Sequence, residues 1–213
     1  GIEGRMIEII PVNYGKSVLP ESMVFENGSE GKYRPILFRI FLLKNENRLV
    51  LVDAGCVTMP GFDMKEFIGP IKALQNIGVS PDEITDVIIT HSHHDHIECV
   101  SCFKNAVIYI QKDEYEEGRD YFDEDMNILT FDEEMEISDG IRAVKIGGHS
   151  KGSSIVEVAD DRKTYIIAGD ECYVKECLDK QIPTGASYNP EKSRSFIQKY
   201  CGEKYTVLLC HDE

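Results

Sequence analysis

The sequence lacks several features that would have pointed elsewhere. It has no run of 18 consecutive apolar residues, so no membrane-spanning helix is expected. After Met6 no basic stretch leads into an apolar segment, so the expected location is cytoplasmic. Basic residues are in deficit, 23 against 38 acidic ones, and the net charge of -15 repels nucleic acid and anionic membrane surfaces. No local basic patch reverses that field. The acidic clusters at residues 113–117 and 122–136 read as solvated surface. A disulfide framework is missing too: the seven cysteines, at 56, 99, 102, 172, 177, 201 and 210, are odd in number and scattered, which favours reduced thiols. Cys99 and Cys102 have the spacing of a redox or metal pair, but without a second such pair they read as ordinary cysteines. Internal repeats and low-complexity tracts are absent. Residues 1–5, Gly-Ile-Glu-Gly-Arg, have the form of a protease recognition site left by a tag, so the natural chain is expected to begin at Met6 and to form one domain over residues 6–213.

What is present alternates in kind. Short β-branched runs at residues 7–12, 36–43, 49–52, 87–90 and 106–110 predict strands in the first half, and 141–145, 154–158, 164–168 and 206–209 predict strands in the second. A helical spacing over residues 65–77, closed by Gly78, and a Pro-initiated segment over 190–200 predict helices. Residues 13–35 are polar and Gly-rich, and read as a long loop near a rim. The mixture predicts a layered α/β or α+β domain.

Four of the six histidines lie in the run His91-Ser92-His93-His94-Asp95-His96, directly after a predicted strand. Side chains two residues apart in such a loop can turn toward one point, so His91 and His93 can chelate one metal and Asp95 and His96 a second. Imidazole and carboxylate suit Zn, Fe, Mn or Co, and a pair of such ions about 3.5–4 Å apart makes a hydrolytic centre. His149, His211 and Asp170 each follow a predicted strand and are candidates to complete the set, with Asp170 able to bridge. Asp53, also at a strand end, is a candidate to hold a ligand in place.

The order His91-x-His93-x-Asp95-His96, then His149, Asp170 and His211, resembles the metallo-β-lactamase superfamily. The resemblance implies an α+β fold, the four-layer αβ/βα sandwich of two facing sheets with helices outside. It also implies a first site of His91, His93 and His149, a second of Asp95, His96 and His211, and a bridging Asp170. Two divalent ions, Zn before Fe, Mn or Co, are the implied cofactors. Only His94 among the histidines is left without a ligand role.

Within that superfamily the chain is most similar to the N-acyl homoserine lactone lactonases. Residues 96–116, the segment Gly169-Asp170-Glu171-Cys172-Tyr173, and residues 182–200 with His211-Asp212 carry the likeness. It implies opening of a lactone or related ester by a metal-bridging hydroxide, with Tyr173 assisting the carbonyl oxygen and Asp95 relaying a proton to the leaving oxygen. The expected partner is a small-molecule ester or lactone, and the expected state a monomer or homodimer. Ile97-Glu98-Cys99 stands where the family has small residues, the segment 117–141 is short, and the chain runs only two residues past His211. Residues 13–35 offer no long apolar stretch for an acyl chain, which points to a smaller or more polar lactone, ester or thioester. Other readings of the motif are a thioesterase of the glyoxalase II kind, for which an added helical region is missing, and a non-hydrolytic metal-bound ligand sensor. A β-lactamase is disfavoured by Asp170, and an oxygen-reducing diiron protein by His93. Cys172 and Cys210 flank proposed ligands, so their oxidation is expected to inhibit.

Overall fold

The apolar runs of the first half become neighbouring strands in a computed structural model that describes residues 6–213; the tag reading of residues 1–5 lies outside the described residues. The first sheet has the order β1 (Glu8–Pro20), β2 (Tyr33–Asn45), β3 (Arg48–Val52), β4 (Asp86–Ile89), β5 (Val107–Gln111), β6 (Asn127–Phe131). Its first three strands are antiparallel and the rest run parallel. All four residues of β4 are buried, as expected of a parallel strand covered on both faces. The second sheet comprises β7 (Glu134–Ser138), β8 (Ile141–Lys145), β9 (Ser154–Ala159), β10 (Thr164–Ile167) and β11 (Tyr205–Leu208), in the order β11-β10-β9-β8-β7.

Alternation along the strands separates two apolar faces. Phe41, Leu43, Val50, Val52 and Ile88 of the first sheet join Ile141, Ala143, Val156, Val158 and Ile167 of the second in one buried cluster, the seam between the sheets. The opposite faces carry Leu51, Val87, Ile89 and Ile108, and Ile155 and Ile166, in a second cluster. That cluster also holds Leu74 of α2 (Pro70–Asn76) and Phe196, Ile197 and Tyr200 of α6 (Pro190–Tyr200). The result is the four-layer α+β sandwich that the resemblance implied. Shorter helices are α1 (Glu21–Val24), α3 (His94–Ile97), α4 (Lys112–Glu117) and α5 (Lys175–Asp179). No helix among the described residues is long and apolar enough to cross a membrane.

Two expectations need correction. Residues 13–35 are not a long loop: β1 runs on to Pro20 and pairs with β2 out to Pro20↔Tyr33, with a register shift at Asn13/Gly15. Its inward residues Val12, Tyr14, Ser17 and Leu19 are buried while Asn13, Lys16 and Val18 face out, an alternation that the polar outer face masks. The helix over 65–77 shortens to Pro70–Asn76, because Gly69, at φ +82°, turns the chain and Pro70 takes the first helical position, while Lys65 bridges Lys16 in the sheet. Gly78 does sit just past its end at φ +82°. The acidic stretch 122–136 keeps its Asp and Glu side chains exposed, as expected of solvated surface, while its backbone forms β6 and the start of β7, each an edge strand.

Candidate metal centre

The candidate residues gather where several strands end. Asp53 follows β3 and Asp170 follows β10, His91 and His93 follow β4, His149 lies between β8 and β9, and His211 follows β11. The first turn after β4 is pinned by Asp53, whose carboxylate accepts the Thr90 N–H at 2.7 Å and the Thr90 hydroxyl at 2.9 Å. Asp53 itself has φ +67°, a left-handed conformation that Asp tolerates better than most residues. Tyr14 donates to the Asp95 carbonyl at 3.0 Å. Two buried acids knit the remaining loops. Glu114 accepts from the Ser92 N–H at 2.8 Å and from Gly152 N–H at 2.9 Å, so this member of the acidic cluster at 113–117 is not solvated surface. Glu171 accepts the His149 N–H at 3.0 Å and the Ser153 hydroxyl, and burial pushes its carboxyl up to about 7. Neither acid was singled out by sequence, since a Glu in a polar run shows no sign of which backbone donors it will meet.

Ring orientation follows from what each Nδ1 meets. His96 Nδ1 lies 2.6 Å from Asp53 Oδ2, His149 Nδ1 2.5 Å from the Ala186 carbonyl, and His211 Nδ1 2.7 Å from the Leu37 carbonyl. His91 Nδ1 is 3.0 Å from Thr90 Oγ1, a hydroxyl whose proton is already given to Asp53. Each Nδ1 therefore carries the hydrogen, and in the neutral ring each Nε2 presents a lone pair.

Those lone pairs converge on Asp170. Its Oδ1 lies 3.1 Å from His96 Nε2 and 2.9 Å from His211 Nε2, and its Oδ2 lies 3.5 Å from His91 Nε2 and 3.6 Å from His149 Nε2. His93 approaches from the exposed side, its Nδ1 3.0 Å from His149 Nε2. Two groups of donors result: His91, His93 and His149, and Asp95, His96, Asp170 and His211, each with ligand atoms within 4.8 Å of one another. His91 Nε2, His96 Nε2, His211 Nε2 and Asp170 Oδ1 are buried without a hydrogen-bond partner. As neutral rings these groups set lone pairs against carboxylate oxygens in a buried nest; a cation at each group removes that conflict and takes the place of the protons that Asp170 and Asp95 otherwise draw onto His96 and His211, so the donor set fits two metal ions. A further grouping, Asp53, His96 and Cys210, is fully buried, but both Asp53 oxygens are engaged by Thr90 and His96; it reads as support for the ligand His96.

The field at the two groups differs. Burial opposes the charged form of His96 and His211, yet Asp170 and Asp95 outweigh it and raise both. Burial likewise opposes the ionised form of Asp95 and Asp170, but His96 and His211 hold both carboxyls below the usual range. His91 and His149 are lowered, chiefly by burial. Tyr173 is buried against the centre, its ring 5.1 Å from that of His211; burial, then Asp170 and Asp95, raise its phenol, which keeps it a proton donor.

A cavity of 170 Å³ opens on Asp95, Asp170, Tyr173 and His211, with Leu19, Met23, Ile36, Phe38, Met59 and Phe62 as its apolar wall. Leu19 and Met23 come from the segment that lacks a long apolar stretch; three separated pieces of chain build the wall. His94, left without a ligand role, turns away from the centre. It meets Tyr121 hydroxyl at 2.8 Å and the Thr58 carbonyl at 3.0 Å, while Glu98 accepts the N–H groups of Val57 and Thr58 at 2.8 and 3.0 Å. This clamp ties the segment leading to Met59 and Phe62 to the helix that carries Asp95 and His96. All seven cysteines are free thiols, and Cys99 and Cys102 enter none of the donor groups.

A two-sheet sandwich with paired His/Asp donor groups at its strand ends defines the chain as a metallo-hydrolase-type fold. The chain belongs to the metallo-beta-lactamase superfamily, whose family model matches residues 39–208. It is 24% identical to an N-acyl homoserine lactonase of Bacillus thuringiensis over 226 aligned positions, covering 93% of this chain and 90% of that protein. It is 31% identical to a probable metallo-hydrolase of Methanocaldococcus jannaschii over 150 residues, 70% of this chain and 66% of the relative. A solved N-acyl homoserine lactone hydrolase with the product N-hexanoyl-L-homoserine bound at its catalytic metal centre superposes with a TM-score of 0.81 at 23% identity, covering 99% and 94% of the two chains.

Proposed function

We propose that this chain is a binuclear metal-dependent hydrolase that opens a lactone or related ester, in the manner of the N-acyl homoserine lactonases it resembles. The observation that carries the reading is the division of Asp170, one oxygen toward His96 and His211 and the other toward His91 and His149. On this reading His91, His93 and His149 would hold one ion and Asp95, His96 and His211 the other, with Asp170 offering an oxygen to each group. Zinc is the proposed metal, since imidazole and carboxylate donors suit it and one fold neighbour is described as a dizinc lactonase. When bound, the ions supply Lewis acidity toward the carbonyl and acidify water to provide the nucleophile.

The chain's own residues do the rest. Tyr173, kept protonated, donates to the carbonyl oxygen as negative charge develops on it. Asp95, kept ionised, takes up the proton that the attacking water gives up and passes it to the leaving oxygen, which departs as the alcohol. Asp53 fixes the ring of His96, and the apolar wall limits water around the reacting ester. We place residues 6–213 in one domain, because both sheets contribute to the seam and to the donor groups. A cytoplasmic, reducing location is supported by the seven free thiols, and the net charge of -15 argues against nucleic-acid and anionic-membrane partners. The chain acts as a monomer or homodimer.

The test is steady-state turnover of metal-loaded protein on a panel of lactones, esters and thioesters. Lactone or ester opening that chelation abolishes is expected. Faster turnover of thioesters would move the assignment to the glyoxalase II kind. Absence of turnover with tight retention of one compound would make the protein a sensor and overturn the hydrolase reading.

A further inference from the structure

Two of the seven thiols share one turn that reaches the surface. Of the seven, all among the described residues, Cys102 alone is exposed; Cys56, Cys99, Cys172, Cys177 and Cys210 are buried and Cys201 is half-buried. Cys99 packs in the hydrophobic core, three residues before Cys102. Both lie in a 3-10 helix, Glu98–Cys102, that continues α3. The Cys99 thiol meets Cys102 through a side-chain hydrogen bond. Neither cysteine enters a donor group of the candidate metal centre, and the hydrolase reading gives them no role.

The helix type bears on what this pair can do. In a 3-10 helix residues i and i+3 eclipse one another, and three rises of about 2 Å leave their Cα atoms about 6 Å apart. A disulfide spans Cα separations of about 4.4–6.8 Å, so the turn sets the two residues at a separation that a bridge can close. Their reactivities differ. Burial, then Cys102 and Glu98, push the Cys99 thiol up to about 12, so it stays protonated and is a poor first nucleophile. Cys102 is open to solvent and meets an oxidant first. The other neighbouring thiols, Cys172 and Cys177, are both buried, and they donate to the Val174 carbonyl at 3.2 Å and the Val24 carbonyl at 3.4 Å. An oxidant reaches them only if the core opens.

We propose that Cys99 and Cys102 are a reversible dithiol/disulfide site, oxidised by a hydroperoxide and restored by a small thiol. The Cys102 sulfur, as thiolate, attacks one oxygen of the hydroperoxide and breaks the O–O bond. The other oxygen leaves with a proton as the alcohol, or as water from hydrogen peroxide, and Cys102 becomes a sulfenic acid. The Cys99 sulfur then displaces hydroxide from Cys102; the S–S bond forms, and the Cys99 proton leaves with the hydroxide as water. The two thiols lose two electrons and two hydrogens, which the hydroperoxide gains. In the return step two molecules of a small thiol give up their hydrogens to the cysteines and leave joined as their own disulfide. In a reducing compartment such a bridge is transient and records exposure to oxidant. The site needs no metal, so it stands or falls independently of the hydrolase reading.

The test exposes the full chain, with its thiols reduced, to hydrogen peroxide, caps the remaining thiols with an alkylating agent and maps the peptides by mass spectrometry. In the wild type a peptide containing Cys99 and Cys102 is expected to become lighter by two hydrogens, about tenfold faster than any other cysteine is oxidised. Glutathione is expected to restore both thiols. Cys99→Ser is expected to leave Cys102 as a sulfenic acid that dimedone captures. Cys102→Ser, at an exposed position, is expected to leave Cys99 a thiol under the same exposure, and it serves alone if the buried Cys99→Ser variant does not fold. Oxidation that begins at Cys172 and Cys177 overturns the proposal. So does Cys102 carried to sulfinic acid, or bridged to a second chain, while Cys99 is still a thiol. A bridge between Cys99 and Cys102 that glutathione leaves intact, or a pair that reacts no faster than the buried cysteines, overturns it as well.

Discussion

Replacing Asp53 by Asn changes one charge and exchanges one carboxylate oxygen for an NH2 group, and its consequence can be followed atom by atom. Asp53 accepts three hydrogen bonds, from Thr90 N–H at 2.7 Å, Thr90 Oγ1 at 2.9 Å and His96 Nδ1 at 2.6 Å. Asn also tolerates the φ of +67° at this position, so the backbone need not move. Its oxygen can keep the Thr90 N–H and its NH2 can donate to the Thr90 hydroxyl, but the NH2 then faces a donor at His96. The imidazole must shift its hydrogen to Nε2, the atom 3.1 Å from Asp170 Oδ1, and a protonated Nε2 cannot ligate a metal. Removing such a partner typically costs about 10–100-fold in metal affinity, or about 1.4–2.8 kcal/mol. Competition against a chelator, with metal counted per chain, is the assay. The expected result is selective weakening of one of two metals while the melting temperature of metal-free protein changes little. Two metals retained at wild-type affinity would refute the tautomer argument.

Other expectations follow from particular contacts. Tyr173→Phe is expected to lower kcat by about 100-fold with both metals retained, as measured by steady-state kinetics and elemental analysis. Glu98→Ala removes the acceptor of the Val57 and Thr58 N–H groups; it is expected to raise KM for substrates that reach Met59 and Phe62 while leaving kcat and metal content near wild type. Away from the centre, buried Asp86 accepts two bonds from Arg48, at 2.6 and 3.0 Å, and one from Tyr109 at 3.0 Å. Asp86→Ala is expected to destabilise the fold by about 3 kcal/mol in denaturant unfolding, with metal content unchanged.

Much of the centre was legible because its residues are chemically distinctive and each follows a strand whose apolar run is unambiguous. His91, His93, Asp95, His96, His149, Asp170 and His211 all fall in the two donor groups. The helix over 190–200 was legible for a similar reason, with Asn189 capping Lys192 N–H and Pro190 at the first position. What escaped was structure whose signal lies in its partners. β6 and β7 are edge strands in acidic sequence, and the outer half of β1 alternates buried Tyr14 and Leu19 with polar residues that read as loop. Glu114 and Glu171 look like surface acids until the fold brings Ser92, Gly152, His149 and Ser153 to them. His94 seemed spare in the motif, and only the fold shows Thr58 and Tyr121 beside it.

The central claim is that one chain holds two metal ions through these donors. Elemental analysis of purified protein, with Asp170→Ala alongside, measures it directly. The account expects two divalent ions per wild-type chain, and loss of at least one, together with ester-opening activity, when the shared carboxylate is removed. Fewer than two ions in active wild-type protein, or two tightly held ions in the Asp170→Ala variant, would contradict it.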